Sequence, residues 1–391
     1  MTTEAGAAAP TDGSPYRAGL SPFLDHVAAE FHSRGTAERK RLAGKVGAHA
    51  AATELGIRAP RRHAVIDDVA DLTPDMLDGR RVLKPNQGFS GRGVMLLERV
   101  GPDTWFDHLA ARARTFADIV ESQLAVKASF GDRDRWQYVI EELIESTIAG
   151  RPVPFDYKFY CFRERVGMIV LQDRNSYPPR AALLKPDFAP FTAGKDYVLA
   201  RRALQPGHPV VPRHAAAMSQ WASLLSLRTD SPFVRIDLYD STSGPVFGEF
   251  TFSPGTTHRA MLSFAPHLIR RMDRLLKKPS DATVDTFRAS MPDLGALPTV
   301  PGDVFARLGA AAANGSGRAA LTLADLHAEA ARGTEGAHRR ILRSIAEAWR
   351  ATRRANRAAE FERIAAAVDV ARGWRTGQEI PEMPEPAAKP D

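Results

Sequence analysis

Two short segments near the middle of the chain, Arg235-Ile236-Asp237 and Gly248-Glu249-Phe250-Thr251, restrict its possible folds more than any other feature. Each lies inside an apolar run, residues 233–239 and 246–252, with Ser243-Gly244 between them as a turn signal, so the pair reads as a β-hairpin. Side chains two apart on a strand share a face, which groups Arg235 with Asp237 and Glu249 with Thr251. If the strands pair, Asp237 and Glu249 stand side by side. Two carboxylates on one face of an otherwise apolar sheet are costly unless a cation joins them. Either Mg²⁺ shared with nucleotide phosphates takes that place, or Arg235 closes an ion pair with Glu249.

The flanking chain is strand-rich. Residues 81–84 read as a short strand, followed by the loop Gln87-Gly88-Phe89-Ser90-Gly91-Arg92-Gly93 and a second strand over 94–97. Strand, glycine loop, strand is a hairpin rather than a strand-to-helix phosphate loop, and no Gly-Lys-Ser/Thr closes it. Residues 137–143 form another strand, and 156–162 with 166–171 a hairpin across Arg163-Glu164-Arg165. The spacing of apolar residues predicts helices over 43–55, 105–124, 214–227 and 257–278. Upstream, Ser21 can cap and Pro22 can start a helix in which Phe23, Val27 and Phe31 recur at helical spacing. Beyond Pro279 the sequence turns Ala- and Arg-rich with no strand signal. Ile341, Ile345 and Trp349 mark one helical face, and Phe361, Ile364 and Val368 another.

The chain has 391 residues, 44% of them hydrophobic and 25% charged, enough for two or three globular units. Its net charge of +7 reads as an Arg-rich surface or as a preference for acidic partners. A single cysteine, Cys161, excludes an internal disulfide and fits a reducing compartment. Residues 1–16 lack the basic start and apolar run of a signal peptide, and no apolar stretch is long enough to cross a bilayer. A cytoplasmic protein without a membrane partner is expected.

Phosphates need close-approaching backbone N–H groups and a cation. Glycines 88, 91 and 93 permit the approach and Lys84 brings the charge, although glycine-rich hairpins also occur without ligands. Acidic residues within Ile140-Glu141-Glu142-Leu143-Ile144 mark a ligand edge or the solvated face of an edge strand.

Taken in order, these segments resemble the ATP-grasp superfamily. Leu83-Lys84-Pro85 with its hairpin is similar to the lid strand, and Val139-Ile140-Glu141-Glu142-Leu143-Ile144 to the adenine-binding hinge. Arg235-Ile236-Asp237 and Glu249-Phe250-Thr251-Phe252-Ser253-Pro254-Gly255 resemble the metal-binding strands. Asp156-Tyr157-Lys158-Phe159-Tyr160-Cys161-Phe162 and Phe247-Gly248-Glu249 point to the TupA-like (teichuronopeptide biosynthesis) branch. The resemblance implies an α+β ATP-grasp fold: two α+β subdomains gripping ATP between antiparallel sheets, with an all-helical C-terminal appendix. The expected division is a flexible tail (1–20), N-terminal helices with the lid subdomain (21–141), a metal-binding subdomain (142–278), the helical appendix (279–377) and a second flexible tail (378–391).

The resemblance also implies roles. Lys45 and Lys84 would hold the α- and β-phosphates, and Ser90, Gly91 and Gly93 would cover the transferable one. Backbone groups around Glu142, Leu143 and Ile144 would bind adenine, with Glu141 near its amino group, and Asp156 would reach the ribose. Lys158 would touch the γ-phosphate and Arg235 would steady the transferred phosphoryl group. Asp237, Glu249 and Thr251 would bind Mg²⁺; Thr251 stands where many ATP-grasp ligases have Asn, a firmer ligand. The implied reaction joins a small-molecule carboxylate to an amine through an acyl phosphate, with a kinase and a non-catalytic nucleotide sensor as the alternatives. About 40 residues precede Lys45, so substrate recognition is expected to lie elsewhere than in an N-terminal α/β domain. Asp173, Arg174 and Asn175 read as a substrate grip or a surface loop, and His258 as a helix start or core residue rather than a base. The Arg-rich C-terminal helices read foremost as packing on the body, then as a cover over the substrate site, and last as a dock for nucleic acid or an acidic carrier.

Overall fold

Strand-forming residues build two six-stranded sheets. The first contains β1 (Arg62–Ile66), β2 (Arg80–Pro85), β3 (Met95–Gly101), β4 (Thr104–Asp107), β5 (Arg112–Arg114) and β6 (Tyr138–Glu142), in the order β1-β6-β2-β3-β4-β5. The second contains β7 (Asp156–Phe162), β8 (Arg165–Asp173), β9 (Arg180–Leu184), β11 (Gln205–Pro206), β12 (Val234–Ser241) and β13 (Gly244–Thr251), in the order β11-β9-β8-β7-β12-β13. A short pair, β10 (Tyr197–Leu199) with β14 (Leu262–Phe264), stands apart. The computed structural model describes residues 19–32, 35–86, 91–131, 136–200, 203–255 and 261–376, the last eight by backbone alone. Gly88, Ser90 and His258 lie outside the described residues, as do 1–18 and 378–391 of the two tails.

Every residue of β7 is buried, which requires cover on both faces. Tyr157, Phe159 and Cys161 point into the main core with Ile236, Leu238 and Phe247. On the opposite face, Tyr160 and Phe162 pack with Phe233 and with Phe23 and Val27 of α1 (Pro22–Phe31). Asp156 and Lys158 continue that same face. The helix begins as expected, with the Ser21 side chain accepting from Leu24 N at 3.2 Å. Phe31, however, is exposed, because the helix ends at the next residue and only its first two turns reach the sheet. The two following helices, α2 (Ala37–Ala43) and α3 (Lys45–Glu54), are separated by Gly44 and contact β13. The N-terminal helices therefore dock on the second sheet, although the strands that follow them belong to the first.

Two helix expectations fail locally. Residues 105–124 are strand at their start, with Trp105 and Asp107 buried on β4, and the helix α4 runs over Phe116–Ser129 behind a Thr115–Asp118 capping box. The buried Asp107–Arg114 ion pair, 2.9 Å, ties β4 to β5 and competes with the helix. In 257–278, residues Leu262–Phe264 pair with β10, and the helix runs over Pro266–Lys277, with Pro at its start.

The C-terminal section is helical: Val284–Ser290, Gly302–Ala313, Gly317–Arg332 and Gly336–Thr376. Phe305, Leu323, Ile345 and Trp349 enter the main core, on the side of β7 and β12 that carries Tyr157 and Ile236. Phe361, Ile364 and Val368, the second apolar set, lie on the same long helix and are solvent-exposed. The helices thus support the back of the sheet that carries Asp156, Lys158, Arg235 and Asp237.

Trp349 is fully buried against Phe305, with ring centroids 6.3 Å apart. Trp349→Ala is expected to lower unfolding stability by about 3–5 kcal/mol. Phe361→Ala, on the exposed set, should change it by less than about 0.5 kcal/mol. Urea titration of both variants checks the contrast.

Candidate active site

The second sheet brings its charges together by register. Asp237 pairs in register with Glu249 on β13 and with Lys158 on β7, and Arg235 lies opposite Thr251. The register shifts after Asp237, so that Gly248 is a bulge residue. A Cβ on Gly248 would stand 2.8 Å from the Tyr239 ring and 3.2 Å from Asp237 O, so the close approach needs glycine. The bulge turns Phe247 and Phe250 both toward the core, rings 4.8 Å apart, and leaves Glu249 on the charged face.

Arg235 grips Asp237 with two bonds, Nε to Oδ1 at 2.6 Å and Nη2 to Oδ2 at 2.7 Å, and reaches Glu249 Oε1 at 3.0 Å. Lys158 Nζ bonds Asp237 Oδ2 and Asp156 Oδ2. Thr251 Oγ1 donates to Glu249 Oε1 at 3.2 Å. The Arg235–Glu249 pair allowed by the sequence is therefore present. Burial pushes the Asp237 carboxyl up, but the charges of Arg235 and Lys158 outweigh it and hold it below its usual value. Asp156 is raised, first by burial and then by the Asp237 charge. Its Oδ1 has no partner among the described residues. Glu249 is the open end of the chain, its side chain 40% exposed.

The first sheet contributes a matching pair. Lys84 on β2 forms a buried ion pair with Glu141 on β6, whose Oε2 has no partner among the described residues. Beside them Val82, Leu96, Leu143 and Val153 form a small apolar cluster, with Val82 two residues from Lys84 and in register with Glu141. Glu142 is turned away: its carboxylate accepts from Arg58 and from Arg61 N, both at 3.0 Å, and its N–H donates to Arg61 O at 2.9 Å. Burial raises Glu142, yet these donors bring it below its usual value. Ile144 is buried just past β6.

Lys45, the first residue of α3, lies between the sheets. It donates to Asn86 O at 3.3 Å and feels Glu249 of one sheet and Lys84 and Glu141 of the other. Burial lowers it to about 8. Near it, His49 is lowered to about 3 by burial and by the Lys84 charge, so it stays neutral at working pH. On the hairpin, Gly91 and Gly93 have φ of +71° and +76°, and a Cβ on Gly93 would stand 2.8 Å from Pro85. Gln123 of α4 donates to Gly93 O at 2.9 Å and holds that stem in place. Cys161 is buried in the core and its thiol is pushed up by burial, which removes it as a nucleophile.

Among the described residues no three His, Cys, Asp or Glu side chains converge as a ready-made metal cage. Mg²⁺ asks for less: it is commonly held by one or two carboxylates together with phosphates and water. Glu249, open to solvent and in register with Asp237, fits that demand, while Asp237 would exchange a bond to Arg235 or Lys158 for the ion. Thr251 serves here as a donor that orients Glu249. The sequence did not single out the apolar cluster of Val82, Leu96 and Val153; alternation from Lys84 was the available signal for Val82.

An α+β molecule with an antiparallel sheet carrying Lys84–Glu141 and a mixed, mostly antiparallel sheet carrying Arg235, Asp237 and Glu249 has the ATP-grasp fold. The chain belongs to the TupA-like ATPgrasp family, whose model matches residues 52–269. No curated protein matches the sequence. Among solved structures, the chain is similar to the D-alanine–D-alanine ligase from Bacillus anthracis complexed with ATP, at 16% identity, covering 64% of this chain and 69% of that one, with a TM-score of 0.35. A RimK domain ATP-grasp protein from Sphaerobacter thermophilus matches at 13% identity over 65% and 78%, with a TM-score of 0.36. An L-amino acid ligase from Bacillus licheniformis matches at 14% identity over 70% and 57%, with a TM-score of 0.33.

The folded value of Lys45, about 8, lies below the ordinary 10.5. The unfolded chain therefore binds more protons between those values, and stability rises with pH across that window. Below it, the buried charge costs on the order of 3 kcal/mol. Lys45→Met is expected to be more stable than the parent near neutral pH, with the gap closing as pH rises toward 10.5. Urea unfolding at pH 7 and pH 10 measures the gap.

Proposed function

We propose that the chain is an ATP- and Mg²⁺-dependent ligase that joins a carboxylate to an amine through an acyl phosphate. The observation that carries this reading is the in-register Asp237–Glu249 pair beside Arg235 and Lys158, facing a lysine–glutamate pair on the other sheet. Such a chain of buried charges adds little to stability, because desolvation offsets attraction. Perturbed carboxylates and a cation lowered to about 8 are instead what an anion-handling site contains.

In the proposed reaction a substrate carboxylate oxygen attacks the γ-phosphorus of ATP, and the bridging oxygen leaves with ADP. The amine then attacks the acyl carbon, loses a proton and expels phosphate. Lys45 and Lys84 would hold phosphate oxygens, and Lys158 and Arg235 would face the group in transfer. Asp237 and Glu249 would hold Mg²⁺, which would supply further positive charge to the phosphates when bound. The unpartnered Glu141 Oε2 would accept from the adenine amino group, with Val82, Leu96, Leu143 and Val153 as an apolar wall. Asp156 Oδ1, likewise unpartnered, would accept from the ribose. The carboxylate and amine are small molecules such as amino acids or peptides, or a uronic acid polymer. The use of ATP supports a cytoplasmic setting for the reaction. No described helix is long and apolar enough to cross a membrane.

Purified protein with Mg-ATP, pooled amino acids and hydroxylamine is expected to yield ADP and a hydroxamate. Lys84→Ala and Glu249→Ala should each reduce turnover by roughly 100-fold or more. A stable phosphoester in place of the hydroxamate would make the protein a kinase. Nucleotide binding without turnover under every substrate combination would make it a sensor.

A further inference from the structure

One cation at the junction of the two sheets has no part in the site described above. Arg174 is the first residue after β8, and the loop that carries it is built. Asp173 Oδ1 accepts from Asn175 N at 2.9 Å and from its Nδ2 at 2.8 Å. Asn175 in turn exchanges both of its polar atoms with the Val153 backbone, accepting from N at 3.0 Å and donating to O at 2.8 Å. The guanidinium projects from this support. Nη2 donates to Gln172 Oε1 at 3.1 Å and lies 3.9 Å from Asp156 Oδ2. On the other side, a Cβ on Gly91 would stand 3.2 Å from Nη1. The fork is thus wedged between a strand of the second sheet and the hairpin of the first.

Its charge is also held more loosely than its neighbours' charges, by a 3.9 Å ion pair with Asp156 and no direct bond to a carboxylate. Lys84, Lys158 and Arg235 each bond a carboxylate directly. The one hydrogen bond of Arg174 within the described residues goes to a neutral amide, and its nearest carboxylate is beyond hydrogen-bond range. Its side chain is 30% exposed, so its remaining donors are accessible to a ligand. Guanidinium donors suit paired oxygens on a phosphate. Gly91, in the left-handed region at φ +71°, leaves the space that any side chain would take from the fork. The unpartnered, buried Asp156 Oδ1, assigned above to the ribose, lies at the same edge, so the Arg174 fork stands next to the proposed nucleotide.

We propose that Arg174 binds the phosphate chain of the nucleotide across the junction of the two sheets. This rests on the ATP reading above, and the test keeps the two apart. Binding of Mg-ADP and of adenosine is measured by calorimetry and ligand-observed NMR for the full chain and for Arg174→Gln and Arg174→Lys. The expected result is a loss of roughly tenfold or more in Mg-ADP affinity for Arg174→Gln, with partial recovery in Arg174→Lys. Adenosine, which carries no phosphate, should bind all three proteins within about twofold of one another. Equal loss for adenosine and Mg-ADP would show that Arg174 only holds the loop in shape, and overturns the proposal. Unchanged Mg-ADP affinity in Arg174→Gln also overturns it while leaving the ATP reading intact. If the unaltered chain binds neither ligand, the ATP reading itself falls, and this proposal with it.

Discussion

The bidentate grip of Arg235 on Asp237 is the interaction around which the rest is arranged. Both side chains are buried and belong to β12, a strand whose other face sends Val234, Ile236 and Leu238 into the main core. A buried carboxylate of this kind needs compensation from several directions. Arg235 supplies it along the strand, Lys158 from the neighbouring strand, and Glu249 and Asp156 balance the excess at the two ends. Removing any member leaves an uncompensated charge beneath a packed sheet. The charges therefore persist as a set, and they hold β7, β12 and β13 in one register.

The two sheets meet through α3 as much as through their strands. Lys45 lies in the field of Glu249 from one side and of Lys84 and Glu141 from the other. The same helix packs against β13, so the cation nearest both halves is positioned by the half that holds the carboxylates. The C-terminal helices add rigidity from behind: Trp349 and Phe305 share one core with Ile236 and Leu238, the alternate residues of the strand that carries Asp237. This is the packing reading of those helices, with their contacts on the back of the sheet.

Much of this was legible in the sequence because alternation is a local signal. Alternation within apolar runs put Arg235, Asp237 and Glu249 on paired strands and pointed to a shared face, and it put Asp156 and Lys158 on a strand, while their place in the site came only from the family resemblance. What local signals cannot carry is partner choice. Nothing in 22–54 says that its helices dock on the second sheet, and the three-residue strands Arg112–Arg114 and Leu262–Phe264 are too short to show any period. Backbone groups around Glu142 were expected to meet adenine; where its carboxylate turns, to the Arg58 side chain and Arg61 N, could not be read locally because those partners are remote in sequence. Arg174 stood in an ambiguous loop because its neighbours, Gly91 and Asp156, are remote in sequence.

The bulge at Gly248 has a consequence for how this hairpin can diverge. With one residue more on β13 than on β12, Phe247 and Phe250 reach the core three positions apart while Glu249 turns the opposite way. Deleting that residue would restore simple alternation and reverse the outer half of the strand, sending either an aromatic ring into water or the glutamate into the core. A single-residue insertion or deletion in β13 between Phe247 and Phe250 would therefore disrupt the site and the core together.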